Sequence, residues 1–142
     1  MNMPEWQSVQ SMAMYHCHAG DIDRAIAEMH NAIALMRPNR ALAQQLATGL
    51  NYLADLYLLS GAEEQAEEPL HESIELSRPR FPHLLAANLW ILGGIKLRQG
   101  KYEEAIAAAK ESRSICEQAH HNHGIHEAEE LLERIRANAR AL

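Results

Sequence analysis

Histidine is the residue type in this sequence whose abundance and spacing first suggest a metal site. The chain has nine histidines among 142 residues, and imidazole nitrogens are common ligands of zinc, copper and nickel. Four of them lie in one tract, as His120, His121, His123 and His126. The tract falls at an expected helix break, and no second set of thiolates or carboxylates stands beside it at ligand spacing. The sequence therefore favours a solvated turn over a metal site and predicts no cofactor.

The familiar catalytic motifs are missing from the sequence. It contains no glycine-rich phosphate loop, no HExxH, no GxSxG and no CxxC. Adjacent acids do occur, at Glu63-Glu64, Glu67-Glu68, Glu103-Glu104 and Glu129-Glu130. They fall in amphipathic patterns and are most simply solvated helix faces. Since a function has to be argued from a site, the sequence predicts a protein that is not an enzyme.

The charge balance narrows the class of partner. The chain has 13 Lys and Arg against 19 Asp and Glu, for a net charge of −6. Nucleic acids and anionic membranes are bound through clustered basic side chains, so neither is the expected partner. A neutral or basic peptide fits the charge better.

The termini and cysteines suggest the compartment. The first residues, MNMPEW, show no basic segment followed by an apolar run, and no apolar stretch is long enough to span a bilayer. Cys17 and Cys116 lie within amphipathic patterns, where a free cysteine behaves as a small apolar residue. No disulfide framework is expected, and the expected location is the cytoplasm.

The elements that must position any site are helices. Aromatic residues are only 5% of the chain, and Ala, Leu, Glu, Gln and Arg, all good helix formers, dominate. Asn2 and Glu5 have the spacing of a capping box at the first helix start. Turn residues then divide the chain into predicted helices at 4–18, 21–36, 40–59, 62–77, 82–98, 101–119 and 125–140.

A sequence repeat runs through these helices. Gly20, Gly61 and Gly100 stand at nearly equal intervals, and such a regular period is typical of helical repeat proteins. Small residues recur at three fixed offsets from these glycines: Ala13, Ala54 and Gly93; Ala25, Ala66 and Ala105; Ala32, Ser73 and Ser112. Agreement in all three columns predicts three helix pairs that pack closely.

The segment LATGLNYLADLYLLSGAEEQAEEPLHESIEL resembles the tetratricopeptide repeat, in the longer-period variety of kinesin light chains and many bacterial regulators. The resemblance covers residues 6 to 116. It implies an all-α, TPR-type α-α superhelix, a right-handed solenoid in one domain spanning 1–142. The implied repeats are 6–38, 40–78 and 82–119, followed by a capping helix at 125–142 that hides the last apolar face. A plain helical bundle is the alternative.

The resemblance also suggests where a ligand would bind. In such proteins the first helix of each pair lines a concave groove, and helical phase selects the residues that face it. Asn51 stands where related repeats carry an asparagine, and its amide can both donate to and accept from a peptide unit. Met14 and Trp90 would add apolar anchoring, and Asp55 would select a basic group. The predicted peptide-binding residues are Gln10, Met14, Asn51, Asp55 and Trp90.

The sequence leaves several functions open. The leading hypothesis is a protein–protein interaction module that holds a peptide or partner segment in the groove. One alternative is a structural scaffold that self-associates into a homo-oligomer through its end surfaces. Another is the TPR fragment of a larger regulatory protein. At the residue level the alternative is a solvated polar face, with Trp90 buried against the neighbouring repeat.

Overall fold

Helix-forming residues separated by short turns give the chain an all-α structure. The computed structural model describes residues 3–141, and this described part contains no β-strand. Its helices are α1 (Glu5–His18), α2 (Ile22–Met36), α3 (Ala43–Leu59), α4 (Glu63–Ser77), α5 (Pro82–Arg98), α6 (Tyr102–Gln118) and α7 (Asn122–Arg140). A short 3₁₀ turn, Arg40–Leu42, precedes α3. The predicted all-α class is confirmed, and Asn2 of the predicted capping box lies outside the described residues.

Three of the turns between helices have the same geometry. Gly20, Gly61 and Gly100 have φ angles of 86°, 82° and 75°, in the left-handed region that glycine enters without strain. The residue after each glycine donates its N–H to a carbonyl in the last turn of the preceding helix, as Asp21 does to His16 at 2.8 Å. These bonds satisfy carbonyl groups that the helix end would leave unpaired. The regular spacing of these glycines in the sequence therefore corresponds to three turns of the same geometry.

The turn between α6 and α7 lies earlier than the sequence predicts. The predicted helices at 101–119 and 125–140 leave residues 120–124 between them, but α7 already begins at Asn122. His120 occupies the left-handed position with φ 55°. His121 then acts as the N-cap, since its Nδ1 accepts the backbone N–H of Gly124 at 3.1 Å. Gly124 consequently belongs to the first turn of α7.

The chain divides into two compact units, Met1–Ser77 and Arg78–Leu142. In the first unit α1 packs on α2, α3 packs on α4, and α2 also contacts α3. In the second unit α6 packs on both α5 and α7. The single domain spanning 1–142 stays a prediction.

The small-residue columns of the sequence lie at the contacts within helix pairs. All of their members are buried, and most of them, including Ala25, Ala66 and Ala105, have no exposed surface. A β-carbon added to Gly93 would stand 3.5 Å from the carbonyl oxygen of Ala105 in the paired α6 and 3.0 Å from Leu131 Cδ2, so the Leu131 side chain would have to shift to admit it. The hydroxyls of Ser73 and Ser112 donate to carbonyls of the paired helix, at 2.7 and 2.8 Å. These contacts confirm the register of the repeat.

None of the described helices combines the length and the hydropathy needed to cross a bilayer.

Candidate binding cleft

Helices α1 and α3, the first helices of two successive predicted repeats, border a polar cleft in the first unit. Its cavity has a volume of about 500 Å³. Four glutamines line it: Gln7, Gln10, Gln44 and Gln45. Met14 of α1 and Thr48 of α3 also line it. Each lies three or four positions from a lining glutamine, and residues at that spacing share one side of a helix. We call this space the glutamine cavity.

The side-chain amide of Gln10 has an unpaired hydrogen-bond acceptor in the glutamine cavity. The Oε1 atom of its amide is buried and has no hydrogen-bond partner among the described residues. A buried carbonyl oxygen left unpaired costs about 1–3 kcal/mol. An N–H group from a bound molecule would remove that cost.

A second cavity, of about 290 Å³, lies further along the same two helices and shares Met14 with the first. Its walls are mostly apolar, formed by Ala13, Met14, Cys17, Met29, Leu56 and Leu59. Tyr52, Asp55 and His18 provide its polar groups. The Nδ1–H of His18 donates to the carbonyl oxygen of Met14 at 2.8 Å. We call this space the Asp55 cavity.

Asp55 is a half-buried carboxylate without a compensating charge. Within the described part of the chain it forms no hydrogen bond and no ion pair. Burial raises the pKa of its carboxyl above the ordinary value, because losing water disfavours the charged form. Neither α1 nor α3 contains a lysine or an arginine. The cleft therefore presents an uncompensated negative charge.

The structure brings three of the five predicted site residues together. Gln10, Met14 and Asp55 line the two cavities. Asn51 is half-buried on α3, between the turns of Thr48 and Asp55, and is not one of the described residues that line either cavity.

Trp90 has a different environment, in the second unit. It lies on α5 with 37% of its surface exposed. Its indole N–H donates to the carbonyl oxygen of Glu127 in α7 at 3.3 Å. This contact fixes the ring against α7 and leaves part of it open to solvent. The role of these five residues in binding stays a prediction.

Several cavity residues are absent from the predicted set, chiefly Gln44, Gln45, Tyr52 and Leu59. Helical periodicity could have identified most of them, because positions 44, 48, 52, 55 and 59 lie on one side of α3. The predicted set contains one residue from each helical turn and so omits neighbours on the same side of the helix.

The histidine tract has structural roles in the turn. His120 and His121 form the α6–α7 connection, and the His121 ring lies edge-on to His83 and His123, with centroid separations of 6.1 and 6.4 Å. Among the described residues, no group of three or more histidine, cysteine or acidic side chains is arranged to hold a metal ion. Cys17 and Cys116 are both free cysteines in the part of the chain that the structure describes.

Comparison with known proteins supports the fold assignment. No sequence family model and no curated protein matches the chain. Among solved structures, BtubC (BKLC) from P. vanneervenii is similar with a TM-score of 0.72 and 17% identity, over 96% of this chain and 63% of that one. A single-residue variant of a putative kinesin light chain from Podospora anserina, described as having nearly identical TPR-like repeats, has a TM-score of 0.69 and 17% identity, over 99% and 79%.

These similarities establish what the chain folds like. The predicted tetratricopeptide-type helical repeat, in the variety of kinesin light chains, is confirmed as the fold. The chain spans 63% of the length of BtubC. At 17% identity the likeness concerns architecture, so the binding chemistry has to come from this chain's own residues.

Proposed function

We propose that this chain is a protein-interaction module that holds a segment of a partner protein in the cleft between α1 and α3. The observation that carries the proposal is that Gln10, Met14 and Asp55 line two cavities with a shared wall. The TPR-like neighbours support a helical scaffold, and scaffolds of this fold are generally used for protein interaction rather than catalysis. The proposed partner is a protein or peptide in the cytoplasm, rather than nucleic acid or membrane.

The chemistry of the two cavities suits a polypeptide. Each peptide unit offers one N–H donor and one C=O acceptor, and the glutamine amides can match both. The unpaired Oε1 of Gln10 would accept a backbone N–H. The larger volume, about 500 Å³, lies within the roughly 300–1,000 Å³ typical of ligand pockets, and the smaller, about 290 Å³, lies just below that range. Asn51, on the same helix as Asp55, is proposed to contact the segment beyond the cavities.

A peptide selection tests this proposal. Random dodecapeptides displayed on phage are selected against the full chain, and calorimetry measures the dissociation constant of each selected peptide. We expect Gln10→Ala to weaken binding about five- to a hundredfold, because a peptide donor would lose its partner at a cost of about 1–3 kcal/mol. The matched control is Gln118→Ala, an exposed residue at the end of α6, which should leave binding unchanged. Equal binding by wild type, Gln10→Ala and a folded Met14→Glu variant would place the interaction elsewhere.

Self-association is the second candidate, and exposed apolar side chains on α1 favour it. Met12 and Tyr15 lie one turn apart and are 49% and 66% exposed. An apolar surface of this kind can mark an interface. Sedimentation equilibrium distinguishes the candidates, since a homo-oligomer would dissociate on Tyr15→Ser, whereas peptide binding in the cleft would not change.

A further inference from the structure

We infer that the Asp55 cavity receives the side chain of a lysine or an arginine from the partner segment, with the cationic group paired to the Asp55 carboxylate. The inference rests on the proposed function, because it names the side chain that the cleft would recognise. It is carried by a half-buried acid without a partner at the edge of an apolar cavity.

The first argument concerns the unpaired charge. A carboxylate removed from water is costly unless it is paired or hydrogen-bonded. Asp55 has neither kind of contact within the described residues, and burial raises the pKa of its carboxyl. A cation placed beside it would favour the charged form and recover the lost hydration. An anion would be repelled, and a neutral apolar group would desolvate Asp55 further.

The second argument concerns the rest of the cavity. Met14, Met29 and Leu56 contribute apolar surface, which favours contact with an apolar group. Lysine and arginine carry a charged head on an aliphatic stem, and such stems pack along apolar surfaces while the head keeps a polar partner. A single side chain of this type therefore matches both the walls and the acid.

The third argument concerns the other groups around the cavity. Its remaining titratable side chains are Cys17, His18 and Tyr52. Of the helices that form it, α1 and α3 contain no lysine or arginine. Arg24 of α2, the helix that contributes Met29, lies 3.6 Å from the Glu28 carboxylate instead. The net charge of −6 also favours the approach of a basic segment. The local and overall charges thus select the same kind of partner.

The test uses butylammonium chloride as the probe, because it reproduces the lysine side chain without a peptide. Two-dimensional ¹H–¹⁵N NMR of the full chain follows the titration, with 1-butanol and sodium butyrate as neutral and anionic probes of the same length. We expect saturable shifts at Met14, Asp55 and Leu56 with butylammonium in the millimolar range. Butanol should bind at least about threefold more weakly, and butyrate should leave these residues unshifted.

A pair of charge-removing variants completes the test. Asp55→Asn should raise the butylammonium dissociation constant at least fivefold, whereas Asp23→Asn, which removes an exposed acid from α2, should not change it. Raising sodium chloride from 50 to 500 mM should weaken binding to wild type and not to Asp55→Asn, since screening acts on the charge pair. The circular dichroism spectrum and melting temperature of each variant confirm that it is folded.

The outcomes separate this inference from the proposed function. Equal affinity for butanol and butylammonium, or no effect of Asp55→Asn in the folded variant, would overturn the cation preference. If selected peptides still lost affinity on Gln10→Ala, the proposed interaction function would stand without the cation preference. Butylammonium binding that depends on Asp55, with no peptide bound in the cleft, would instead retain the cation site and refute the peptide module.

Discussion

The carboxylate of Asp55 reduces the stability of the free protein. Burial raises its pKa in the folded state, so the folded protein binds this proton more readily than the unfolded chain does. The stability contributed by this group therefore falls as the pH rises from the ordinary value of 3.8 through the raised folded-state pKa. Such a cost is typical of a site that is completed by its ligand.

Removing this charge should stabilise the free protein. We expect Asp55→Asn to increase the free energy of unfolding at pH 7. The gain should be smaller at pH 4, which is close to the ordinary carboxyl value of 3.8, because the raised pKa lets the folded wild type bind its proton more readily than the unfolded chain does. Urea denaturation followed by circular dichroism at both pH values measures the difference. Asp23→Asn is the control and should lose about 0.3–1 kcal/mol at pH 7, because an acid in the first turn of a helix favours the helix dipole. A loss of stability at pH 7 on Asp55→Asn would contradict the argument.

At the residue scale, the sequence predicted three of the residues that line the cleft. Helical phase identified Gln10, Met14 and Asp55 because residues on one side of a helix share a periodic spacing. It could not place Trp90, whose indole bonds to Glu127 of α7, a helix outside the repeat pattern. Nor could it reveal that Gln10 Oε1 is unpaired, since a hydrogen-bond deficit depends on the packed neighbours rather than on spacing.

At the element scale, local backbone rules made most of the fold predictable. Glycine at a regular interval marked the three left-handed turns. Small residues marked the close contacts, and those at Ala54, Ala66 and Ala105 have no exposed surface. The α6–α7 turn was misplaced because His120 and His121 occupy positions where glycine and a short polar cap are the usual signals.

His120 carries a conformational penalty that glycine would avoid. A residue with a β-carbon is disfavoured at the φ of 55° found here by about 1–2 kcal/mol, while glycine loses about 0.5–1 kcal/mol of chain entropy on folding. We therefore expect His120→Gly to raise the free energy of unfolding by up to about 1 kcal/mol. Urea denaturation at neutral pH measures this change.

The reverse substitution in an equivalent turn is the matched control. A β-carbon on Gly61 would have no heavy atom within 4 Å, and the φ there is 82°. Any loss of stability on Gly61→Ala is then a backbone effect, and about 1 kcal/mol is expected. Destabilisation by His120→Gly would show that the histidine side chain stabilises the turn through its own contacts.

At the scale of the whole molecule, a recurring ion pair follows the repeat through both units. Arg37, just after α2, pairs with Glu72 of α4, and Arg78, just after α4, pairs with Glu111 of α6. The two arginines lie at the same spacing after the turn glycine that precedes each of them. The two glutamates likewise lie at the same spacing after the turn glycine that precedes each of them. Exposed pairs of this kind contribute little, about 0–1 kcal/mol. They mark a register that continues along the chain.

This continuous register predicts that the chain unfolds as one domain, because repeats bury their apolar faces on their neighbours and are coupled to them. The chain has two tryptophans, Trp6 in the first unit and Trp90 in the second. Trp90→Phe and Trp6→Phe variants therefore report the two units separately by fluorescence. In each variant we expect the fluorescence midpoint in urea to coincide with the midpoint of that variant's helical circular dichroism, as two-state unfolding requires. A fluorescence transition separated from the helical one in either variant would instead make residues 1–77 and 78–142 independent domains.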